Sequence, residues 1–293
     1  MTLEQLRIFV AVAGTLSMRR ASETLGLTQP AVSAAVAALE ARHATKLFYR
    51  VGRGLELNAA GHSFLPEAKA VLARAHEAQQ VLEDLAGLVR GEVKIAASQT
   101  VATYWLPSRI AQFVEQHPAI KVTLTAGNTA HAASEVLAGS VDLGFVEGQV
   151  DEPALKLSRV ASDTLGLYVA PAHPMIGRRV GKAALREAVW VLREEGSGTR
   201  DHFAAGLSAF GLSFNDLAVR LVLPSNGAVL EAAGTGGLVA PVSDIAAASR
   251  VAAGQLVRLD CDFQARAFSS VLHRERKLSN AAAAFLRGLK PDR

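Results

Sequence analysis

RASETLGLTQPAVSAAVAALE, residues 20–40, decides how the rest of the chain is read. It holds a short helical stretch, a break at Gly26, and a second stretch that opens on Thr28, Gln29 and Pro30 and is then nearly all Ala and Val. Gly26 can take a positive φ at little cost, so it ends the first helix. Thr28 caps the second, and Pro30 is tolerated in a first turn whose N–H groups have no intrahelical partner. Val32, Val36 and Leu39 form its buried stripe. Upstream, Leu3, Leu6, Phe9, Val10 and Ala13 recur at helical spacing and predict a helix ending near Gly14, with Ser17 capping the next. Three helices with a tight turn between the last two make a helix-turn-helix head.

Downstream, KLFYRVGRGLELN (46–58) alternates apolar and basic residues around Gly52 and Gly54, which predicts a β-hairpin wing closed by Asn58. A long helix follows. Leu65, Leu72, Gln79 and Ala86 fall seven apart, and Ala68, Ala75, Leu82 and Val89 make a companion row, a seam for a second helix and hence for a dimer. From Gly91 strands and helices alternate, as in EVKIAAS, IKVTLTAG and VDLGFVEG with helices between them, which predicts an α/β domain with a mostly parallel sheet.

Composition agrees with two or three soluble domains: 293 residues, half of them hydrophobic. No apolar run reaches the roughly 18 residues of a membrane span, and MTLEQLRIFV lacks the features of a secretion signal, so a cytoplasmic location is expected. The single Cys261 has no CxxC or Cys/His partner and reads as a small buried hydrophobe. His117, His173 and His202 have no metal-ligand spacing and read as surface residues, so neither a metal nor a cofactor is expected. Overall charge is only +4, but residues 1–58 carry seven Lys and Arg against four Glu.

On LEQLRIFVAVA, LTQPAVSAAVAALE, LFYR and LELNAAGHSF, in that order and spacing, the chain resembles the LysR-type transcriptional regulators over essentially its whole length. The resemblance implies a winged helix-turn-helix DNA-binding domain over 1–58 and a linker dimerisation helix over 59–90. It implies an effector domain over 91–293 that is two-lobed, like type II periplasmic binding proteins, with lobe I about 91–162 and 267–293 and lobe II about 163–266. The implied partners are double-stranded DNA, a small-molecule effector and further copies of the chain as a dimer of dimers, with RNA polymerase as an additional candidate. Ser22 stands where the family commonly has alanine, and Ala34 and Ala35 where it often has Arg and Gln. An Ala-rich helix is slim enough to lie deep in a major groove, so base reading falls to Thr28, Gln29 and Ser33 around Pro30, helped by DNA shape. Arg19, Arg20, Arg50 and Arg53 are expected on phosphates, and Leu65, Leu72 and Leu82 on the dimer seam.

In such a domain ligands bind at the carboxyl ends of strands, where helix N-termini point inward. Three strands end on SQT (98–100), GNT (127–129) and GSGTR (196–200), hydroxyl and amide groups beside free N–H donors, which suits an anion. These loops resemble a LysR subgroup tied to sulfur assimilation, sulfite handling and carbon fixation. That resemblance implies an effector pocket of Ser98, Thr100, Asn128, Ser197 and Thr199 with Glu147, Arg200 and Asn226 beside it, and sulfite, sulfate, thiosulfate or a small carboxylate as effector. Ser98, Asn128 and Ser197 also suit ordinary helix caps. The rival is a hydrolase or transferase with Ser197 as nucleophile and His202 or Glu147 as base, but GSGTR lacks the GxSxG elbow. It also lacks a phosphate-loop ending, and GTGG (234–237) is no dinucleotide turn.

Overall fold

The computed structural model describes residues 1–51, 54–85, 91–261 and 263–289, which fall into two compact units. The first begins with α1 (Leu3–Thr15), α2 (Met18–Leu25) and α3 (Gln29–Arg42). Thr2 caps α1 in a reciprocal box with Gln5, Ser17 accepts from the Arg20 N–H, and Thr28 accepts from the Ala31 N–H. Gly26 is left-handed at φ 66°, as the turn requires. At the end of α1 the left-handed residue is Leu16, not the expected Gly14, which lies within the last turn. Leu6, Phe9, Val12, Val32, Val36 and Leu39 form the core, whereas Leu3, assigned to the buried face by spacing, is exposed. Ser22 is buried and donates to the Arg19 carbonyl at 2.7 Å, so its hydroxyl is satisfied within its own turn.

The wing strands β1 (Phe48–Val51) and β2 (Gly54–Leu57) pair antiparallel, and α4 runs over Ala59–Leu85. Gly52, Arg53, Ala86 and Val89 lie outside the described residues. The junction rests on Glu40, a buried carboxylate at the end of α3. Its Oε1 accepts from the Leu47 N–H at 2.9 Å and the Phe48 N–H at 3.4 Å, and its Oε2 meets Lys46 Nζ at 2.8 Å. Asn58 joins from the other side, donating to the Lys46 carbonyl and accepting from the Gly61 N–H. A Cβ on Gly61 would stand 2.1 Å from the Leu47 oxygen, so only glycine lets α4 start so close to the wing.

The second unit holds two five-stranded sheets. The first takes β3 (Gly91–Ser98), β4 (Ile120–Gly127), β5 (Leu143–Val146), β6 (Leu155–Asp163) and, late in the chain, β12 (Arg266–His273), in the order β4-β3-β5-β12-β6. The second takes β7 (Leu165–Val169), β8 (Val189–Arg193), β9 (Ala218–Leu223), β10 (Leu238–Ser243) and β11 (Val257–Arg258), in the order β11-β7-β10-β8-β9. The chain thus passes between sheets at β6–β7 and returns at β12. Each sheet is mixed, with β12 antiparallel to both its neighbours and β7 antiparallel to both of its own, which corrects the expectation of a mostly parallel sheet. The helices are α5 (Leu106–Gln116), entered through a π-helical turn at Val101–Trp105, α6 (Thr129–Ala138), α7 (Lys182–Glu187), α8 (Gly198–Ser208), α9 (Asn226–Gly234), α10 (Asp244–Ala252) and α11 (Asn280–Gly288). Trp105, Phe145, Phe268 and Phe285 fill the first lobe and Trp190, Phe203 and Phe263 the second, with Cys261 inside that apolar cluster.

Burial pushes the Glu40 carboxyl up, but the Leu47 N–H, Lys46 and the Phe48 N–H together outweigh it and hold it below the usual carboxylate range. A depressed folded-state value means that the stabilisation is present above the unfolded value and is lost as pH falls through the folded one. Glu40→Gln is expected to cost about 1.5–3 kcal/mol at neutral pH, as for hydrogen bonds to a charged group. It should show as roughly ten- to hundred-fold faster amide exchange at Leu47 and Phe48 if the wing opens locally. Equal exchange rates in the two proteins at pH 7 would remove Glu40 from this role.

Candidate functional site

On the head, α3 presents Gln29, Pro30, Ala31, Ala34 and Ala37 to solvent, with Ser33 half-buried. Ser17, Gln29, Ser33, Lys46, Tyr49 and Arg50 line one groove between the turn, α3 and the wing. Gln29, Ser33 and Arg50 are therefore brought together, and Arg53 lies outside the described residues. Thr28 is engaged as the cap of α3, at 3.4 Å from the Ala31 N–H. Two arginines have partners in the fold: Arg20 donates to the Thr15 carbonyl at 2.5 Å, closing the end of α1, and Arg19 lies 3.8 Å from Glu23. On α4, Leu65 and Leu72 are half-buried against the head's own core, whereas Leu82 is 69% exposed.

In the second unit SQT, GNT and GSGTR meet where the two lobes face each other. Ser98, Thr100, Glu147, Ser197, Thr199 and Asn226 are all buried there. Their centre is Glu147. Ser98 donates to one carboxylate oxygen; Thr100 at 3.1 Å and Thr199 at 3.5 Å donate to the other. Asn226 donates to the Thr100 hydroxyl at 2.9 Å, and its backbone N–H reaches the Gln99 side chain. Thr129, Gly198 and Asn226 each open a helix, and Thr129 and Gly198 lie against Gly148, next to Glu147, while Asn226 reaches it through Thr100. The lobes touch at one point: a Cβ on Gly198 would lie 2.8 Å from the Gly148 Cα and 2.7 Å from the Thr129 hydroxyl.

Two buried arginines complete the cleft, and sequence reasoning missed both. Arg193, at the end of β8, donates to Asn226 Oδ1 at 2.8 Å and grips Glu194 through two bonds of 2.8 Å. Arg266, at the start of β12, donates to the Thr199 hydroxyl at 3.0 Å and pairs with Asp163 at 2.8 Å. The available signal was a lone arginine at the end of an apolar strand in VWVLREEG and another opening RAFSSV. Arg200, by contrast, does not join Glu147: it donates to the Arg193 carbonyl and stacks over Phe214. Asn128 caps α6 through the His131 N–H at 2.9 Å, as expected of an ordinary cap, and its amide donates to the Glu195 carbonyl at 3.2 Å.

Burial pushes the Glu147 carboxyl above the usual range, against the opposing pull of Arg266, the Thr100 hydroxyl and Arg193. Glu194 goes the other way: burial raises it, but the Arg193 fork prevails and holds it low. Around Glu147 the Ser197 and Thr129 hydroxyls are buried without a hydrogen-bond partner. Ser197 opens α8 without capping it through its side chain. The nucleophile–base arrangement of a hydrolase is not formed, because Ser197 is unpartnered and the His202 Nε2 contacts the Gln264 carbonyl at 2.7 Å. Nor are the three histidines at the surface: His173 is buried and His117 and His202 are half-buried. Among the described residues no cluster of His, Cys, Asp and Glu could hold a metal ion.

Known proteins carry the same organisation. Residues 3–62 match the bacterial regulatory helix-turn-helix protein, lysR family, and residues 86–292 match the LysR substrate binding domain. The chain is 33% identical to the RuBisCO operon transcriptional regulator of Allochromatium vinosum, over 97% of this chain and 94% of that one. It is 36% identical to the HTH-type transcriptional regulator YeiE of Escherichia coli K12, over 68% and 67%. Full-length CbnR complexed with its target DNA superposes with a TM-score of 0.68 at 25% identity, covering 99% of each chain. The regulatory domain of CcmR from Synechocystis in complex with 2-PG gives 0.63 at 26%, covering 68% of this chain and 96% of that one. These regulators are not enzymes, which removes the hydrolase or transferase alternative. The chain belongs to the LysR family, DNA-binding transcriptional regulators with a ligand-binding domain.

Proposed function

We propose that this regulator senses a small anion in the cleft around Glu147 and that the anion changes its hold on an operator. Carrying this reading is one observation, the buried Ser197 hydroxyl that has no partner beside a carboxylate ringed by Ser98, Thr100 and Thr199. Converging helix N-termini, hydroxyl donors and buried arginines are the chemistry of an anion site. Glu147 already occupies the Ser98, Thr100 and Thr199 hydroxyls, so an effector must displace its carboxylate or bind beside it once it is protonated. Sulfite, sulfate, thiosulfate and small carboxylates all fit donors of this kind. The CcmR regulatory domain in complex with 2-PG supports a small-molecule ligand at this domain.

Ser197→Ala is the cleanest test. Its hydroxyl has no partner to lose, so stability should hardly change, while a lost bond to a charged acceptor should cost about 1.5–3 kcal/mol, roughly ten- to hundred-fold in affinity. Thr100→Val should weaken binding similarly but also destabilise the protein, because the Asn226 amide then loses its acceptor. Since the Glu147 carboxyl is raised, its proton is retained as pH falls and lost as pH rises through the folded value, so anion affinity should decline with rising pH. Glu147→Gln should flatten that profile and tighten binding at neutral pH by on the order of tenfold. Calorimetric titration of the full chain with sulfite, sulfate, thiosulfate and acetate checks all three, and submillimolar binding of a neutral aromatic compound with no anion binding would discard the reading.

For the DNA surface, Gln29 is assigned to a base edge and Arg50 to phosphate, supported by their shared groove. Gln29→Ala should relax preference at one base position by about 1–3 kcal/mol, while Arg50→Ala should weaken all sequences alike and lower the salt slope by roughly one. A Gln29→Ala protein that loses specific and random-sequence affinity equally would refute the base-reading role.

The same proposal places the regulator in the cytoplasm as a homo-oligomer; no helix among the described residues is long and apolar enough to cross a membrane. Oligomerisation is supported by Leu82 on α4 and by edge strand β9, where Val219, Leu221 and Val222 are exposed. Leu82→Lys should yield a weaker dimer and weaker operator binding, since two heads must reach two half-sites together. Leu72 is less suitable because it also packs on the head. Light scattering that finds an unchanged mass at micromolar concentration would refute the seam.

A further inference from the structure

Asp163 ends β6 and Arg266 opens β12, and the two are opposite each other in the ladder that joins those strands. They therefore sit where the chain leaves the first sheet and where it returns. Both side chains are almost fully buried, at 1% and 2% exposure. Their pairing is lopsided. Arg266 Nε at 3.0 Å and Nη2 at 2.8 Å both donate to Asp163 Oδ2, whereas Oδ1 is buried without a partner. A guanidinium normally spreads such a fork over both oxygens. Here its position is set by a third bond, from Nη1 to the Thr199 hydroxyl at 3.0 Å, and Thr199 in turn donates to Glu147.

Buried ion pairs are poor sources of net stability, and their better-attested use is to fix one arrangement against another. A pair that leaves one carboxylate oxygen unsatisfied so that its arginine can hold a neighbouring hydroxyl fits that use. We propose that Arg266 and Asp163 are positioning residues of the effector cleft: Arg266 holds the Thr199 hydroxyl on Glu147, and Asp163 sets how much of the Arg266 charge Glu147 feels. This rests on the cleft being the effector site, and it names residues that act there without donating to the effector themselves. The other charged groups near Glu147 are Arg193 at the end of β8, already bound by Glu194, and Asp151, Asp201 and His202, which line a cavity with Glu147 and Arg266. Arg266 is the larger of the two cationic influences on Glu147.

Two substitutions should move the titration of Glu147 in opposite directions. Asp163→Asn keeps the shape but removes the counter-charge, so Arg266 favours the Glu147 carboxylate more and the midpoint should fall by about one unit, a tenfold change in the protonated ratio at fixed pH. Arg266→Lys keeps a cation for Asp163 but lacks the fork that reaches Thr199 as well, so Glu147 loses its neighbour and the midpoint should rise. The protonated carboxyl band in infrared spectra of the ligand-free full chain, identified by its loss in Glu147→Gln, reads both midpoints. A purely packing role would lower stability and move neither. If Asp163→Asn does not fold, the upward shift in Arg266→Lys alone decides the question. Unchanged midpoints in the folded variants overturn the proposal, whereas midpoints that shift as stated in a protein that binds none of the anions overturn the effector reading instead.

Discussion

A carboxylate buried between two lobes must find donors on both, and the cleft of this regulator is organised by that requirement at Glu147. Ser98 and Thr100 come from the first lobe, Thr199 from the second, and Asn226 braces Thr100 from the second. Ser98 is the last residue of a strand, Thr100 lies two residues past that end, and Thr199 and Asn226 stand in the first two positions of a helix, which is where a backbone can deliver a side-chain donor and a free N–H to the same point. Closeness of the lobes follows, because Gly148 and Gly198 let the two backbones approach to a distance no side chain would allow.

The same arrangement accounts for how the cleft can respond. Donors that satisfy an internal carboxylate are equally able to satisfy an external anion, and both cannot be held by one set at once. An effector shifts the protein only by as much as it binds one arrangement better than another. Here the difference has a physical source: with Glu147 charged, a second anion meets repulsion in a poorly solvated space, and with Glu147 neutral it meets donors already oriented.

How much of this was legible in the sequence depends on whether local chemistry or long-range pairing made the feature. The head was legible because Ser17, Gly26, Thr28 and Pro30 act within one turn of themselves, and those caps and that break are present. Leu3 was misplaced because helical spacing names a face but does not say how far the core extends along it. The loops SQT, GNT and GSGTR were legible as strand ends carrying donors. Strands β6, β10 and β12 were not. β10 carries Pro241, which argues against a central strand unless its missing N–H is absorbed by its position in the ladder. β6 and β12 mix Lys, Arg and Ser with apolar residues, and their pairing spans a hundred residues of chain that no local pattern reports. Arg266 and Asp163 stayed invisible for the same reason, being neighbours only once those strands pair.

Two buried glutamates, one in each unit, serve opposite ends. Glu40 accepts from two backbone N–H groups and a lysine, partners that the fold fixes in place, and its carboxyl is held low. Those partners favour its charged form, which keeps the wing joined to α3. Glu147 is more deeply desolvated and leans on hydroxyls, which can turn to donate elsewhere, with arginines already engaged by Asp163 and Glu194. Its charge is therefore held loosely. A hydroxyl that donates to a carboxylate in one state can donate to a ligand in the next without unfolding anything, whereas a backbone N–H cannot be redirected without moving the strand that carries it. Permanence in the head and responsiveness in the cleft thus come from the kind of donor around each carboxylate together with the deeper desolvation of Glu147.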